Sequence, residues 1–430
     1  MNKLTDYPLF TVIIPQKDRA EYLIHTLRTC MIQDYPNFEI IVSDDCSEDN
    51  SVEVVSELMK KDPRIKLFAH DHHLGMRDNF EFALNQIRPG YVMALGGDDG
   101  LVPGCIWRMF EILSSTKREL LTWTPAGFVY PDCNGGKNIF YVKRKKNLGV
   151  QFIKSESFLN KLAQTFLYQI DECPMLFMKG VASTALVDRV KSRTNDHSFY
   201  CCPTPDGFSG VVLAGEVEDY AFTYEPLSIT GTTDKSQGKN YQRTDKKSKE
   251  EARQFFNDNI RRTMHAELAS QQYSPLATLM TADYLLTAQD LPGWPGKFTP
   301  ISFEALIRAS FQLMERSLFE NEVLIRELKI LKVIAKQHDL LDLFNQLLAK
   351  SKRKVLRSSN VYGFVITNLI RFDGTELGVD NIFDASLATN FIYNFYNRIS
   401  LKEIIAFIKN TYRIFIRTKK YEVESFPNVN

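Results

Sequence analysis

Over its first hundred residues the chain repeatedly changes its hydrophobic period, with short β-branched runs alternating with segments whose apolar residues recur at helical spacing. Phe10–Pro15 reads as a strand stopped by proline, and Ala20–Gln33 follows with Leu23, Ile24, Leu27, Cys30 and Met31 on one helical face. Phe38–Ser43 is the next strand, and Ser51–Lys61 is a helix carrying Val52, Val55, Leu58 and Met59. Ile65–Ala69 is a third strand, Met76–Gln86 a helix and Tyr91–Leu95 a fourth strand. Such alternation with short connections dictates right-handed crossovers and a mostly parallel sheet covered on both faces. Ligands of such sheets sit beyond the carboxyl ends of the strands. Pro15, Asp44-Asp45 and Asp98-Asp99 all stand at such ends, so three separate stretches converge on one cleft.

Asp98 and Asp99 close the run Val92-Met-Ala-Leu-Gly-Gly-Asp-Asp-Gly100. Two adjacent carboxylates are costly unless a cation or a set of donors compensates them. At a strand end, a hard divalent metal shared with substrate phosphates does this. On local sequence alone, a solvated Asp-Gly turn is the competing reading.

A chain of 430 residues is too long for one ordinary core, so two or three domains are expected. The net charge of +1 provides no bulk basic field, which argues against a nucleic-acid partner. Seven scattered cysteines, none in a Cys-x-x-Cys pair, read as reduced thiols. The first residues lack the apolar core of a signal peptide, and no segment reaches transmembrane length. A cytoplasmic location is expected, extending to the inner face of the cytoplasmic membrane if lipid contact occurs.

From Val102 to Tyr224 the pattern is mixed: a helix near Val102–Ser114, then shorter strands and hairpins. Gly231–Glu251 is polar, contains no apolar aliphatic residue and reads as a loop or linker. Ala252–Leu286, Phe303–Lys336 and Leu340–Lys350 read as consecutive amphipathic helices. The expected division is therefore a catalytic α/β domain over 1–235, a polar linker or active-site loop over 236–251 and an all-helical domain over 252–430. There is no internal repeat.

Five stretches carry a resemblance. They are Thr11-Val-Ile-Ile-Pro15 with Asp18-Arg19, Gln33-Asp34-Tyr35-Pro36-Asn37-Phe38-Glu39-Ile40-Ile41-Val42, Asp44-Asp45-Cys46-Ser47-Glu48-Asp49, Leu74-Gly75-Met76-Arg77-Asp78-Asn79-Phe80, and Gly97-Asp98-Asp99-Gly100 through Pro103. In this order they resemble the family 2 glycosyltransferases, which have the GT-A nucleotide-sugar-binding fold and include bacterial surface-polysaccharide enzymes. The resemblance covers roughly the first 105 residues and thins out by about 235. Four positions depart from the family pattern: Gly97 replaces a carboxylate, Lys17 and Asp18 replace an aromatic residue and Asn, and His73 replaces Asn.

The resemblance implies an inverting, metal-dependent transfer of a sugar from a nucleoside-diphosphate donor, most often a UDP-sugar, to a hydroxyl of a glycan or lipid-linked acceptor. It implies donor contacts from Pro15, Asp18, Arg19, Asp45, Gly75, Arg77 and Asp98, with Asp45 on a base imide N–H. It implies Mn²⁺ or Mg²⁺ on Asp99, with Asp98 on the ribose or a metal-bound water. Arg77 reads equally well as a phosphate clamp and as a solvated helix-start arginine. Asp206, which opens an apolar helix after Pro203-Thr-Pro205, is the first candidate for general base, and an N-cap is its plainer reading. Asp219, in Gly215-Glu-Val-Glu-Asp219-Tyr, is the rival, although a strand rather than a helix follows it.

His70, His72 and His73 lack a zinc-like partner spacing and read as a loop at the cleft mouth. Lys143-Arg-Lys-Lys146 reads as a solvated charged run. Arg398–Tyr421 carries seven basic residues against one acidic residue, interleaved with apolar ones. It reads either as a helix packed on its own domain or as a basic amphipathic helix on an anionic membrane. The helical region is expected to shape the acceptor site, contact a partner or form a homo-oligomer. Two competing functions are a sugar nucleotidyltransferase, for which the loop after the first strand lacks glycines, and a non-catalytic nucleotide-sugar-binding scaffold.

Overall fold

The computed structural model describes residues 7–133, 138–143, 149–236, 246–259, 262–317, 319–356, 369–398 and 421–425. The chain separates into two compact units. One comprises 1–155, 171–233 and 365–413, and the other 156–170, 234–364 and 414–430.

In the first unit β1 (Leu9–Gln16) is buried at every position, which is why it reads as a nearly unbroken apolar run. It pairs in parallel with β2 (Phe38–Asp44) on one side and β4 (Gly90–Ala94) on the other, and β3 (Ile65–Ala69) pairs in parallel with β2. The intervening helices are α1 (Ala20–Met31), α2 (Ser51–Met59) and α3 (Met76–Leu84). On α1, Leu23, Leu27 and Cys30 turn to the sheet while Glu21 and Arg28 complement the helix dipole at its two ends. The sheet continues through β10 (Gly180–Ser183), β6 (Leu120–Trp123), β11 (Asp219–Thr223) and β9 (Gln151–Lys154), in the order β3-β2-β1-β4-β10-β6-β11-β9. β10 runs against both its neighbours, so β6 and β11 point the same way as β1 to β4. The expected α/β class and mostly parallel sheet are what the unit contains.

A second sheet has the order β14-β8-β7-β12-β5. Its strands are β5 (Gly100–Leu101), β7 (Ala126–Val129), β8 (Ile139–Lys143), β12 (Ser228–Thr232) and β14 (Leu369–Asp373). The helix α4 (Cys105–Thr116) lies between β5 and β6 in the chain, close to the expected 102–114. β12 takes Gly231 and Thr232 out of the expected polar loop, because Ile229 and its neighbours pair with β7 and β5. Beyond β14, the helix Ile382–Arg398 packs against α1, β5 and β12, with Ile382 fully buried. A strand and a helix from the stretch expected to be wholly helical thus belong to the α/β unit.

The second unit is built on helices Lys246–Asp258, Ala277–Gln289, Phe303–Arg316, Asn321–Gln337 and Leu341–Lys350. Residues 246–251 are therefore helical rather than loop. The expected helix over 252–286 is broken in two, with Ser274-Pro275 just before the second piece, where proline lacks the donor a helix interior needs. The expected helix over 303–336 is also two, divided at Ser317, whose backbone is extended. Leu279, Leu285, Leu306, Phe311, Leu328, Leu331 and Phe344 form its buried interior. The unit is not purely helical, since β13 (Lys352–Leu356) and β15 (Tyr421–Ser425) form an antiparallel ribbon. Residues 399–420, which hold nearly all of the basic C-terminal stretch, and 144–148, which hold most of the Lys143–Lys146 run, lie outside the described residues. Among the described residues, no helix is long and apolar enough to cross a membrane.

Candidate active site

Because β1, β2, β3 and β4 are parallel, Gln16, Asp44-Asp45, His70 and Gly96 emerge along one edge of the sheet. The loops there are tied together by side chains. Asp18, at a left-handed φ of 52°, accepts the Glu48 N–H at 2.7 Å, and the Asp18 N–H donates to Ser47 Oγ at 2.8 Å. The Arg19 N–H donates to Ser51 Oγ and the Ala20 N–H to Asp49. Gln16 Nε2 donates to Asp44, whose other oxygen takes the Ser47 N–H at 2.9 Å. Pro15 sits opposite Ser43 in this frame. Asp18 therefore braces the two loops, a role the resemblance did not assign to it.

Asp45 is buried and its carboxylate faces the 73–75 loop. Oδ1 accepts the Leu74 N–H at 2.6 Å, and Oδ2 accepts the Gly75 N–H at 3.1 Å and lies 2.9 Å from His73 Nδ1. Lys17 Nζ is 3.4 Å from the same His73 nitrogen. The histidines do not cluster: His70 Nε2 pairs with Ser43 Oγ at 3.0 Å and His72 with Asp71.

Asp98 and Asp99 follow β4 and are 8% and 2% exposed. Asp99 accepts the Gly231 N–H at 2.8 Å on Oδ1 and the Gly96 N–H at 2.9 Å on Oδ2. Asp98 accepts the Thr233 hydroxyl at 3.0 Å. These contacts require the glycines. A Cβ at Gly231 would stand 1.8 Å from the Asp98 carbonyl oxygen, and one at Gly96 would stand 2.9 Å and 3.0 Å from the two carboxylates. At Gly97, the position of the missing family carboxylate, a Cβ would meet the Arg19 stem at 3.0 Å. Burial first, and Asp98's charge next, push the Asp99 carboxyl up to about 7, against the two amides and the Arg19 cation. Sequence reasoning missed Gly231 and Thr233. The signal was present as Ser228-Ile-Thr-Gly-Thr-Thr, a β-branched run that a polar-loop reading overrides.

Among the described residues, no group of three or more His, Cys, Asp or Glu is arranged to hold a metal by protein atoms alone. The Asp98/Asp99 pair nonetheless suits a hard cation. It offers carboxylate oxygen only, its partners supply partial charges, and Mg²⁺ or Mn²⁺ commonly takes one or two carboxylates and fills its remaining positions with phosphate and water.

Asp206 is the second residue of the helix Pro205–Gly215, with Thr204 at the N-cap, so the N-cap reading of Asp206 does not hold. The approach to this helix is fixed by α3. Buried Glu81 accepts the Phe199 and Tyr200 amides, and Arg77 Nε donates to the Tyr200 carbonyl at 2.5 Å while its Nη1 pairs with Asp78. Arg77 is thus neither solvated nor turned wholly toward a phosphate. The Leu176 N–H donates to Ser209 Oγ at 3.1 Å, and the adjoining Phe177 bridges to Ala94 at the end of β4. The first turns of the Asp206 helix therefore lie toward the edge that carries the carboxylate pair.

Asp219 lies elsewhere. It begins β11, which is parallel to β6 and hence to β4, so it stands at the amino edge, opposite Asp98 and Asp99. Arg118 and Lys154 both pair with it. Burial opposes its ionisation, but these two cations outweigh burial and hold the carboxyl below its ordinary value. Sequence alone does not state which end of a strand the Glu218-Asp219 pair occupies.

An edge of parallel strands bearing paired acids, with a braced loop system beside it, is where ligands of an open α/β sheet sit. Residues 11–128 match the model of glycosyl transferase family 2, and the chain carries a family 2 glycosyltransferase domain there. It is 27% identical over 139 residues to an uncharacterized glycosyltransferase of Haemophilus influenzae, a match covering 32% of this chain and 54% of that protein. It is 36% identical over 105 residues to the GalNAc(5)-diNAcBac-PP-undecaprenol β-1,3-glucosyltransferase of Campylobacter jejuni, covering 24% of this chain and 34% of the relative. The chain thus spans about half or less of the length of these relatives. Among solved structures, S. aureus TarS 1-349 in complex with UDP-GlcNAc aligns with a TM-score of 0.43 at 14% identity, covering 79% of this chain and 90% of that one.

Proposed function

We propose that the protein is an inverting, metal-dependent glycosyltransferase of polysaccharide biosynthesis. It moves a sugar from a UDP-sugar donor to a hydroxyl of a glycan or lipid-linked acceptor. The observation that carries the reading is the buried Asp98/Asp99 pair at the carboxyl edge of a family 2 domain, held by the Gly96 and Gly231 amides and the Thr233 hydroxyl.

In this reading Asp98 and Asp99 hold Mn²⁺ or Mg²⁺, which supplies Lewis-acid stabilisation of the departing diphosphate. Asp45 accepts the base N–H, and Pro15, Asp18, Arg19 and Gly75 shape the donor loops. Asp206 takes the proton of the acceptor hydroxyl as its oxygen bonds to the anomeric carbon. The bond from that carbon to the diphosphate oxygen breaks on the opposite face, and its electron pair leaves with the diphosphate. One displacement inverts the centre and needs no covalent glycosyl-enzyme.

The test is release of nucleoside diphosphate from a panel of nucleotide sugars with Mn²⁺, with and without polysaccharide acceptors. Metal-dependent release with UDP-sugars, lost in Asp99→Asn, is expected. Release unaffected by chelator, or absent with every donor, overturns the reading.

A further inference from the structure

We propose that Lys17 is a specificity-determining residue that reads a carbonyl of the donor base beside Asp45, with His73 positioning the Asp45 carboxylate. This rests on the nucleotide-sugar reading above and goes beyond it by naming side chains for the base edge and the bases they exclude.

The lone pairs left on Asp45 limit which base edge it can accept. An ionised carboxylate offers about four acceptor sites. Three on Asp45 are taken by the Leu74 N–H, the Gly75 N–H and His73 Nδ1. One remains, enough for a single ring N–H. Guanine presents two adjacent N–H groups to a carboxylate and is left one acceptor short. Cytosine and adenine present no ring N–H on that edge. Uracil and its 5-methyl homologue present one N–H flanked by carbonyls, which fits one acceptor with a donor beside it.

Lys17 supplies that donor. Its single polar contact among the described residues is the His73 nitrogen at 3.4 Å, so no carboxylate holds its ammonium. When His73 donates Nδ1–H to Asp45, that nitrogen has no lone pair for Lys17, and the ammonium must seek another acceptor. The backbone places it for this task. Asp18, the next residue, is held in the left-handed region and anchored to Ser47 and Glu48, so Lys17 projects from a braced turn. His73 is 29% exposed and stands over Asp45 from the opposing loop. Lys17 and His73 are two of the four positions that depart from the family pattern, and the fold brings them together.

The experiment is calorimetric binding of UDP, dTDP, GDP and CDP to the full chain with Mn²⁺, and of uridine without metal. UDP and dTDP should bind at least about tenfold more tightly than GDP or CDP, since a buried polar group left unpaired discriminates strongly. Lys17→Met should weaken UDP and uridine about tenfold and shrink the UDP/CDP ratio, with unchanged melting temperature and metal dependence. Lys17→Arg should retain the ratio. His73→Asn, which keeps a donor, should preserve selectivity that His73→Phe loses. Wild-type UDP affinity and selectivity in folded Lys17→Met overturns the inference and leaves the glycosyltransferase reading standing, as does tighter binding of GDP than of UDP. No binding of any nucleoside diphosphate overturns both.

Discussion

Replacing Asp98 with Asn should make the metal-free protein more stable, although it removes a hydrogen-bonded buried side chain. Asp99 is pushed from an ordinary 3.8 up to about 7, by burial first and by Asp98 second. Each pKa unit is worth about 1.4 kcal/mol, so the shift stores on the order of 4 kcal/mol at pH 8. Asp98, as the second cause, accounts for roughly 1–2 kcal/mol of it. The sign follows from proton counting. Between pH 4 and 7 the folded state binds more protons than the unfolded state, so stability falls as pH rises through that window and the full penalty stands above it. The new amide can still bond the Thr233 hydroxyl, which accepts as readily as it donates. Asp99→Asn is the poorer test, because an amide NH₂ would face the N–H of Gly96 or Gly231. Scanning fluorimetry of Asp98→Asn should therefore show a melting point a few degrees higher at pH 8 and little change at pH 5, with most of the Mn²⁺-plus-UDP increment lost. A gain equal at both pH values, or a loss at pH 8, refutes the electrostatic account.

Asp206→Asn should lower transfer by about 10²-fold or more while donor affinity holds, and Asp219→Asn should leave turnover near normal because its carboxylate serves Arg118 and Lys154 at the other edge. Steady-state kinetics on the two variants separates them. Gly231→Ala should cost about 1–3 kcal/mol by overpacking and abolish metal-dependent stabilisation, since its Cβ would overlap the Asp98 carbonyl. Lys179 is buried and donates to the Asp171 carbonyl at 2.8 Å, and burial pushes it down to about 8. The unfolded state binds the extra proton between pH 8 and about 10.5, so stability should rise with pH across that window, a slope that Lys179→Met flattens in denaturant titrations at stepped pH.

Much of the first unit was legible because β1 to β4 and α1 to α3 alternate locally and each strand carries its own apolar run. The carboxylate edge was legible for the same reason, since parallel pairing places all the strand ends together. What escaped was set by distant pairing. Gly231 reaches Asp99 across 132 positions, and the helix Ile382–Arg398 buries Ile382 against Gly100, contacts that no local period announces. The edge on which Asp219 stands was hidden because β10 reverses direction between β4 and β6, a fact of topology rather than of the residues around it. The second unit's helix breaks at 274–275 and 317 were hidden by apolar periodicity that runs through them.

The carboxylate pair also explains why the site is made of glycines and hydroxyls rather than of paired lysines. Full compensation by a buried cation would cancel the charge and leave little attraction for an incoming one. Here the direct partners are two amides and a hydroxyl, with Arg19 acting only at a distance, and Asp99 remains raised despite all of them. Amides and hydroxyls orient the oxygens without neutralising them. The Gly97 departure serves the same end, since a third carboxylate there would displace the Arg19 stem. The fold therefore holds two acids close together with no direct cationic partner among the described residues, the charge that the proposed divalent ion would relieve, and Asp98→Asn measures that unrelieved cost directly.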